Sequence, residues 1–221
     1  MWLCNNKYII ENPLKCITPP EPLYEDKRAL DKSEIKQILS AISLDYLRHH
    51  NKLLLSRDIL IVDILFFCGL RRGELFSLQI MDIDIPNGVL TINGATSKSR
   101  KTHTVPIHPT LMMHLKSYLS ERQNAGYTTP YLLVSSNGDW GLGKDGLKHW
   151  VNKYKKLSGV KFHLHRFRHS FACELFKGNT QPTRIKMYMG HSSLKMTGQY
   201  LRSINPGKDL KEDVLKLSYV D

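Results

Sequence analysis

Two arginines, two histidines, a lysine and a tyrosine occupy positions in this chain where a plain apolar core has no use for them. Arg71 and Glu74 belong to Cys68-Gly-Leu-Arg-Arg-Gly-Glu-Leu75, which follows directly on a long apolar run. Lys98 lies in the basic stretch Ser97-Lys98-Ser99-Arg100-Lys101. His165-Arg166-Phe167-Arg168-His169 opens a helical pattern, Gly190-His191-Ser192 links two shorter ones, and Tyr200 stands nine residues beyond His191. Such a set fits a phosphodiester. A guanidinium fork matches two phosphate oxygens and stays charged, so a pair of them can clamp a pentavalent transition state. An ammonium group can protonate a departing sugar oxygen, and an imidazole can move a proton or hold an oxygen near neutral pH. A tyrosine, with an ordinary pKa of about 10, needs a cationic pocket before it can attack. Together these make a transesterification that keeps the bond energy in a phosphotyrosine and needs no metal ion or ATP.

Each residue alone has a plainer role. Arg71 and Glu74 could be a surface salt bridge at a helix start. Lys98, with Arg100 and Lys101 beside it, could be one solvated charge of a basic loop. His165 and His169 at i, i+4, with His163 nearby, invite thoughts of zinc. However, no glutamate completes an H-E-x-x-H pattern, and the intervening arginines would repel a cation. His169 is better read as a buttress behind the site. Tyr200 alone would pass for a tyrosine packed on a helix. The set counts because its members occur together and in order.

The elements that must carry these residues are legible from periodicity and caps. Pro13, Pro19, Pro20 and Pro22 mark residues 1–28 as an extended linker. Asp31 with Glu34 three residues on predicts an N-cap, and Ile35, Ile38, Leu39 and Ile42 a helix behind it. A second helix, apolar nearly all round, is expected from Ser56 or Arg57 to its stop at Gly69. Asp82-Ile-Asp-Ile-Pro, the turn pair Asn87-Gly88, Val89-Leu-Thr-Ile and His103-Thr-Val-Pro-Ile predict a small antiparallel sheet with Lys98 at a turn between strands. Helices return at 109–123, 144–157, 165–176, 182–189 and 193–201. A tail at 206–221 carries Leu210, Val214 and Leu217 at helical spacing. The expected fold class is mainly α with a small antiparallel β-sheet, in one domain over 29–205.

The chain has 221 residues, 41% hydrophobic, which suffices for an ordinary core. Its 32 Lys and Arg against 20 Asp and Glu give a formal charge of +12, and the pI is near 9.5. Such an excess predicts a polyanionic partner, nucleic acid before membrane, since the basic residues are spread rather than gathered on one amphipathic helix. Four cysteines, none in a C-x-x-C pair, read as free thiols. With no secretory pattern at the start and no apolar run long enough to span a bilayer, the expectation is a cytoplasmic protein without a membrane partner.

Taken in order, the boxes resemble the tyrosine recombinase (phage integrase) family. Cys68-Gly-Leu-Arg-Arg-Gly-Glu-Leu is similar to its first arginine box, Ser97-Lys98 before Val105-Pro106 to its β-hairpin lysine, and His165-Arg-Phe-Arg168-His169 to its His-x-x-Arg box. Met189-Gly-His191 resembles its Leu-Gly-His box, with Tyr200 at the usual interval beyond. The likeness runs from about Leu30 to Ile204; Cys68, Phe167 and Met189 stand where the family often has Thr, Leu and Leu. It implies that Tyr200 attacks the scissile phosphate to give a 3′-phosphotyrosyl link, while Arg71, Arg168 and His191 hold the non-bridging oxygens. Lys98 would protonate the leaving 5′-oxygen and His165 assist the proton at the nucleophile. Glu74 and His169 would support them, and no cofactor is implied. The implied partners are double-stranded DNA, a tetramer of protomers on two DNA sites, and accessory DNA-bending proteins, in a bacterial cell at the nucleoid. Family members usually carry a further helical DNA-clamping domain ahead of this one. Here only Asn12-Pro-Leu-Lys15 and the proline-rich linker resemble its end, so the expectation is a fragment or a short single-domain member. Two readings stay open beside recombination: a type IB topoisomerase-like nicking and closing activity, and a DNA-binding module without catalysis.

Overall fold

The computed structural model describes residues 2–11, 29–95, 101–191 and 197. Lys98, Tyr200, most of the proline-rich linker, the helix expected at 193–201 (apart from residue 197) and the tail at 206–221 lie outside the described residues. Near the start, Trp2–Asn5 forms a short helix (α1).

The domain proper opens at a reciprocal cap. Asp31 Oδ1 accepts from the Glu34 N–H at 2.8 Å, and Glu34 Oε2 accepts from the Asp31 N–H at 3.0 Å. This satisfies amide donors that a helix start leaves unpaired, and α2 (Lys32–His49) runs from it, burying Ile35, Ile38, Ala41 and Ile42. The next helix, α3 (Lys52–Phe67), begins ahead of the Ser56 or Arg57 start expected from hydrophobicity. Asn51 is the reason: its side chain accepts from the Leu54 N–H at 3.0 Å and caps the helix one turn earlier. Nearly all of α3 is interior, with Leu60, Ile61, Ile64 and Leu65 at the centre of the core.

A short helix, α4 (Arg72–Ser77), and a 3-10 turn (Ile80–Asp82) lead into the sheet. Strands β1 (Ile83–Asp84), β2 (Val89–Ile92) and β3 (His103–Pro106) pair antiparallel in the order β1-β2-β3. The register sets Leu90 opposite Val105 and Ile92 opposite His103. Helices α5 (Pro109–Asn124), α6 (Lys144–Ser158), α7 (Leu164–Lys177) and α8 (Pro182–Tyr188) complete the described chain, within a residue or two of their expected ends. The core gathers around α3, which packs on α2, α5 and α7, while α8 lies against α7 and β3. The architecture is mainly α with a small antiparallel sheet, as the sequence predicted.

Two ties fasten the entry of the domain to α7. The Leu30 N–H donates to Ser170 Oγ at 2.7 Å, and Arg166 Nη2 donates to the Ala29 carbonyl at 3.3 Å while meeting Glu34 at 3.0 Å.

Candidate active site

Gly69 ends α3 with φ +60, a conformation that costs glycine little and other residues more. The ring of Phe171, on α7, fills the space beside it: a Cβ at Gly69 would fall 2.3 Å from Phe171 Cδ1. The exit of α3 is therefore pressed directly against α7, and this close approach brings the two arginine boxes together.

Arg71 is the N-cap residue of α4, and Glu74 sits one turn in. Glu74 Oε2 accepts from the Arg71 backbone N–H at 2.8 Å, and Oε1 accepts from Arg71 Nη1 at 2.8 Å. Arg168, from α7, approaches the same carboxylate, with Nη1 3.7 Å from Oε2. Glu74 thus lies between the two arginines, only 2% exposed. Arg168 is equally deep, at 2%, and its guanidinium donates to the Gly69 carbonyl at 2.7 Å and to the Met189 carbonyl. Burying charge of this kind is tolerable only with an opposite charge and with hydrogen bonds for the remaining polar atoms. Arg71 is the more open of the pair, its side chain 21% exposed, and its Nη2 lies 3.5 Å from the Gly190 carbonyl.

The turn after α8 carries the third group. His191 is 5% exposed, and its Nδ1 lies 3.0 Å from Thr197 Oγ1. Burial, reinforced by the positive charges of Arg168 and Arg71 and by His165, pushes its pKa down to about 3, against a smaller opposing pull from Glu74. His191 is therefore neutral at ordinary pH, a hydrogen-bonding group rather than a cation. His165, second in α7, is exposed, and its ring stacks near that of His163.

Of the residues picked out from sequence, Arg71, Glu74, Arg168 and His191 come together here, with His165 close enough to act on His191 electrostatically. His169 follows Arg168 on α7 and is buried. Lys98 and Tyr200 are not among the described residues. One neighbour was missed: His103, first in β3, whose ring packs against Gly190. Burial lowers its pKa, with Arg168 and Arg71 pushing the same way against the Lys101 carbonyl and Glu74. The signal available was strand alternation, which sets His103 on the same face as buried Val105.

A cluster of two guanidiniums about a buried carboxylate, with a neutral imidazole alongside, can bind an oxyanion at Arg71 and stabilise charge that develops on it. Among the described residues no group of three or more His, Cys, Asp or Glu side chains is arranged to hold a metal ion, and no helix is long and apolar enough to cross a membrane.

Comparison with known proteins gives this geometry its setting. The family model described as the phage integrase family matches residues 28–205. Tyrosine recombinase XerA of Pyrococcus furiosus is 32% identical over 196 residues, which are 88% of this chain and 63% of that protein, so the chain spans less than two thirds of that relative. The crystal structure of XerH site-specific recombinase bound to palindromic difH substrate, a post-cleavage complex, matches with a TM-score of 0.70 at 22% identity, over 93% of this chain and 60% of that one. The catalytic domain of bacteriophage HP1 integrase matches with a TM-score of 0.56 at 21% identity, covering 86% of this chain and 95% of that domain. With the family model covering most of its length, the chain belongs to the phage integrase family, and its fold is that of a tyrosine recombinase catalytic domain.

Proposed function

We propose that this chain cuts and rejoins DNA as a site-specific tyrosine recombinase, and that Tyr200 is the nucleophile. The observation that carries the reading is the Arg71–Glu74–Arg168 cluster with His191 beside it, in a chain of this family. The relative named above is called a tyrosine recombinase, and XerH is bound to its DNA substrate; both support DNA as the partner here. Arg71 and Arg168 offset the charge of the phosphate as it becomes pentavalent, and neutral His191 donates to one of its oxygens. Lys98 protonates the departing 5′-oxygen, and His165 takes part in proton movement at Tyr200. The step exchanges one phosphoester for another, 3′-phosphotyrosyl for 3′–5′, and its reversal reseals the strand, so no metal ion or nucleotide is consumed. Glu74 and His169 hold the arginine cluster from behind.

In the same proposal four protomers act on two DNA sites, with accessory DNA-bending proteins where the site demands them. The protein works in the bacterial cytoplasm, at the nucleoid when it acts.

The test is a nicked suicide substrate, on which the broken strand diffuses away and traps the adduct. The parent chain should yield a denaturation-resistant protein–DNA product. Tyr200→Phe should bind the duplex as well as the parent and yield none, since only the attacking oxygen is gone. An adduct from the Phe variant would assign the attack to another residue.

A further inference from the structure

Three groups converge on Met189 and Gly190, the two residues ahead of His191. Arg168 donates to the Met189 carbonyl, Arg71 Nη2 lies 3.5 Å from the Gly190 carbonyl, and the ring of His103 occupies the space where a side chain on Gly190 would be. A Cβ built on Gly190 would fall 2.7 Å from His103 Cε1, 3.0 Å from Nδ1 and 3.1 Å from Nε2. Gly190 has φ +56. Glycine crosses readily between positive and negative φ, so the sequence alone does not hold this turn in one shape. Something packed against it must, and His191 is the next residue.

We propose that His103 is a positioning residue of the recombinase site. Its imidazole is the seat that keeps Gly190 in its left-handed conformation, and through Gly190 it sets the orientation of His191. The inference rests on the recombinase reading and extends it to a residue on the sheet. His103 is suited to this as an uncharged ring. Arg71 and Glu74 face it from α4 and Arg168 from α7, its Nδ1 lies 3.4 Å from the Lys101 carbonyl, and burial together with the two guanidiniums disfavours a proton on it. A third cation beside the arginines would work against the turn they share.

The experiment measures single-turnover cleavage of the nicked suicide substrate by the full chain and by His103→Ala, His191→Ala, the double variant and His103→Phe. Melting temperatures identify any variant that fails to fold. His103→Ala should cleave about tenfold more slowly with DNA affinity unchanged. In the His191→Ala background the same change should cost less than about twofold, because a seat is worthless once the group it orients is gone. His103→Phe, which restores a planar ring without a titrating nitrogen, should recover most of the loss. Multiplicative losses in the double variant, a Phe variant no faster than Ala, or a His103→Ala variant at the parental rate would each overturn the proposal. If the parent itself forms no adduct, the recombinase reading fails first. If the parent cleaves and His191→Ala is slow while His103→Ala is not, the reading survives and only the seat is lost.

Discussion

The chemistry proposed for His191 depends on its being uncharged, and its surroundings enforce that. Burial and the two guanidiniums hold its pKa at about 3, far below the ordinary histidine value. This has a consequence for stability whose sign is fixed. Between about pH 6.5 and about pH 3 the unfolded chain carries a proton on this group that the native chain does not, so acid favours unfolding. Stability from this source is complete above about pH 6.5 and drains away as the pH falls. Urea midpoints of the parent and of His191→Gln, compared at about pH 7.5 and about pH 5, should show the parent losing more on acidification. Equal losses would mean that His191 accepts its proton in the folded state. Residues of this kind differ in how visible they are beforehand. Arg71, Glu74, Arg168 and His191 stand in short, distinctive boxes, so they could be named from the chain alone. His103 has no box. Its role is made by a glycine 87 positions away in sequence, and only the folded chain brings the two together.

At the scale of elements, the join between α3 and α7 decides whether the two arginine boxes meet. Gly69 is its narrowest point. Alanine there would have to hold φ +60 and displace the Phe171 ring, costs of about 1–2 and about 1–3 kcal/mol. Gly69→Ala should therefore lower the unfolding free energy by about 2–5 kcal/mol in urea titrations. Adding Phe171→Leu should return part of that, the overlap and not the backbone strain; full recovery would show that φ at position 69 carries no penalty. Helix starts illustrate what a sequence makes plain. The α2 cap was readable because Asp31 and Glu34 have the spacing of a reciprocal cap. The α3 start was not, because Leu53, Leu54 and Leu55 make the strong apolar signal begin nowhere in particular, and the deciding atom is one Asn51 oxygen. The helix α4 escaped notice for a related reason: six residues are too few to show a period, and its existence depends on Glu74 capping Arg71.

For the whole molecule, the +12 formal charge is the property most directly open to measurement. Phosphate contacts release counterions, and each one steepens the fall of log affinity with log salt by about 0.9. Filter-binding or anisotropy titrations over a salt series should therefore give a steep line for this chain on any duplex, with little preference for sequence, since such contacts position a protein without reading bases. Tight, site-selective binding at physiological salt would indicate base readout within these 221 residues. The broad class, the fold and the basic character were all accessible from the chain, because they rest on sums over many residues. The pocket's interior order was not, because it rests on which few carbonyls two guanidiniums happen to reach.

The place where the chain enters this domain has a mechanical meaning. Ala29 and Leu30 are hydrogen-bonded to Arg166 and Ser170, and those two residues bracket Arg168 on one helical turn after another. A load applied to the polypeptide ahead of residue 29 would thus reach α7 through these two hydrogen bonds as well as α2 through the backbone. Arg168 lies within that same turn of α7, so such a load would reach one of the two guanidiniums that flank Glu74.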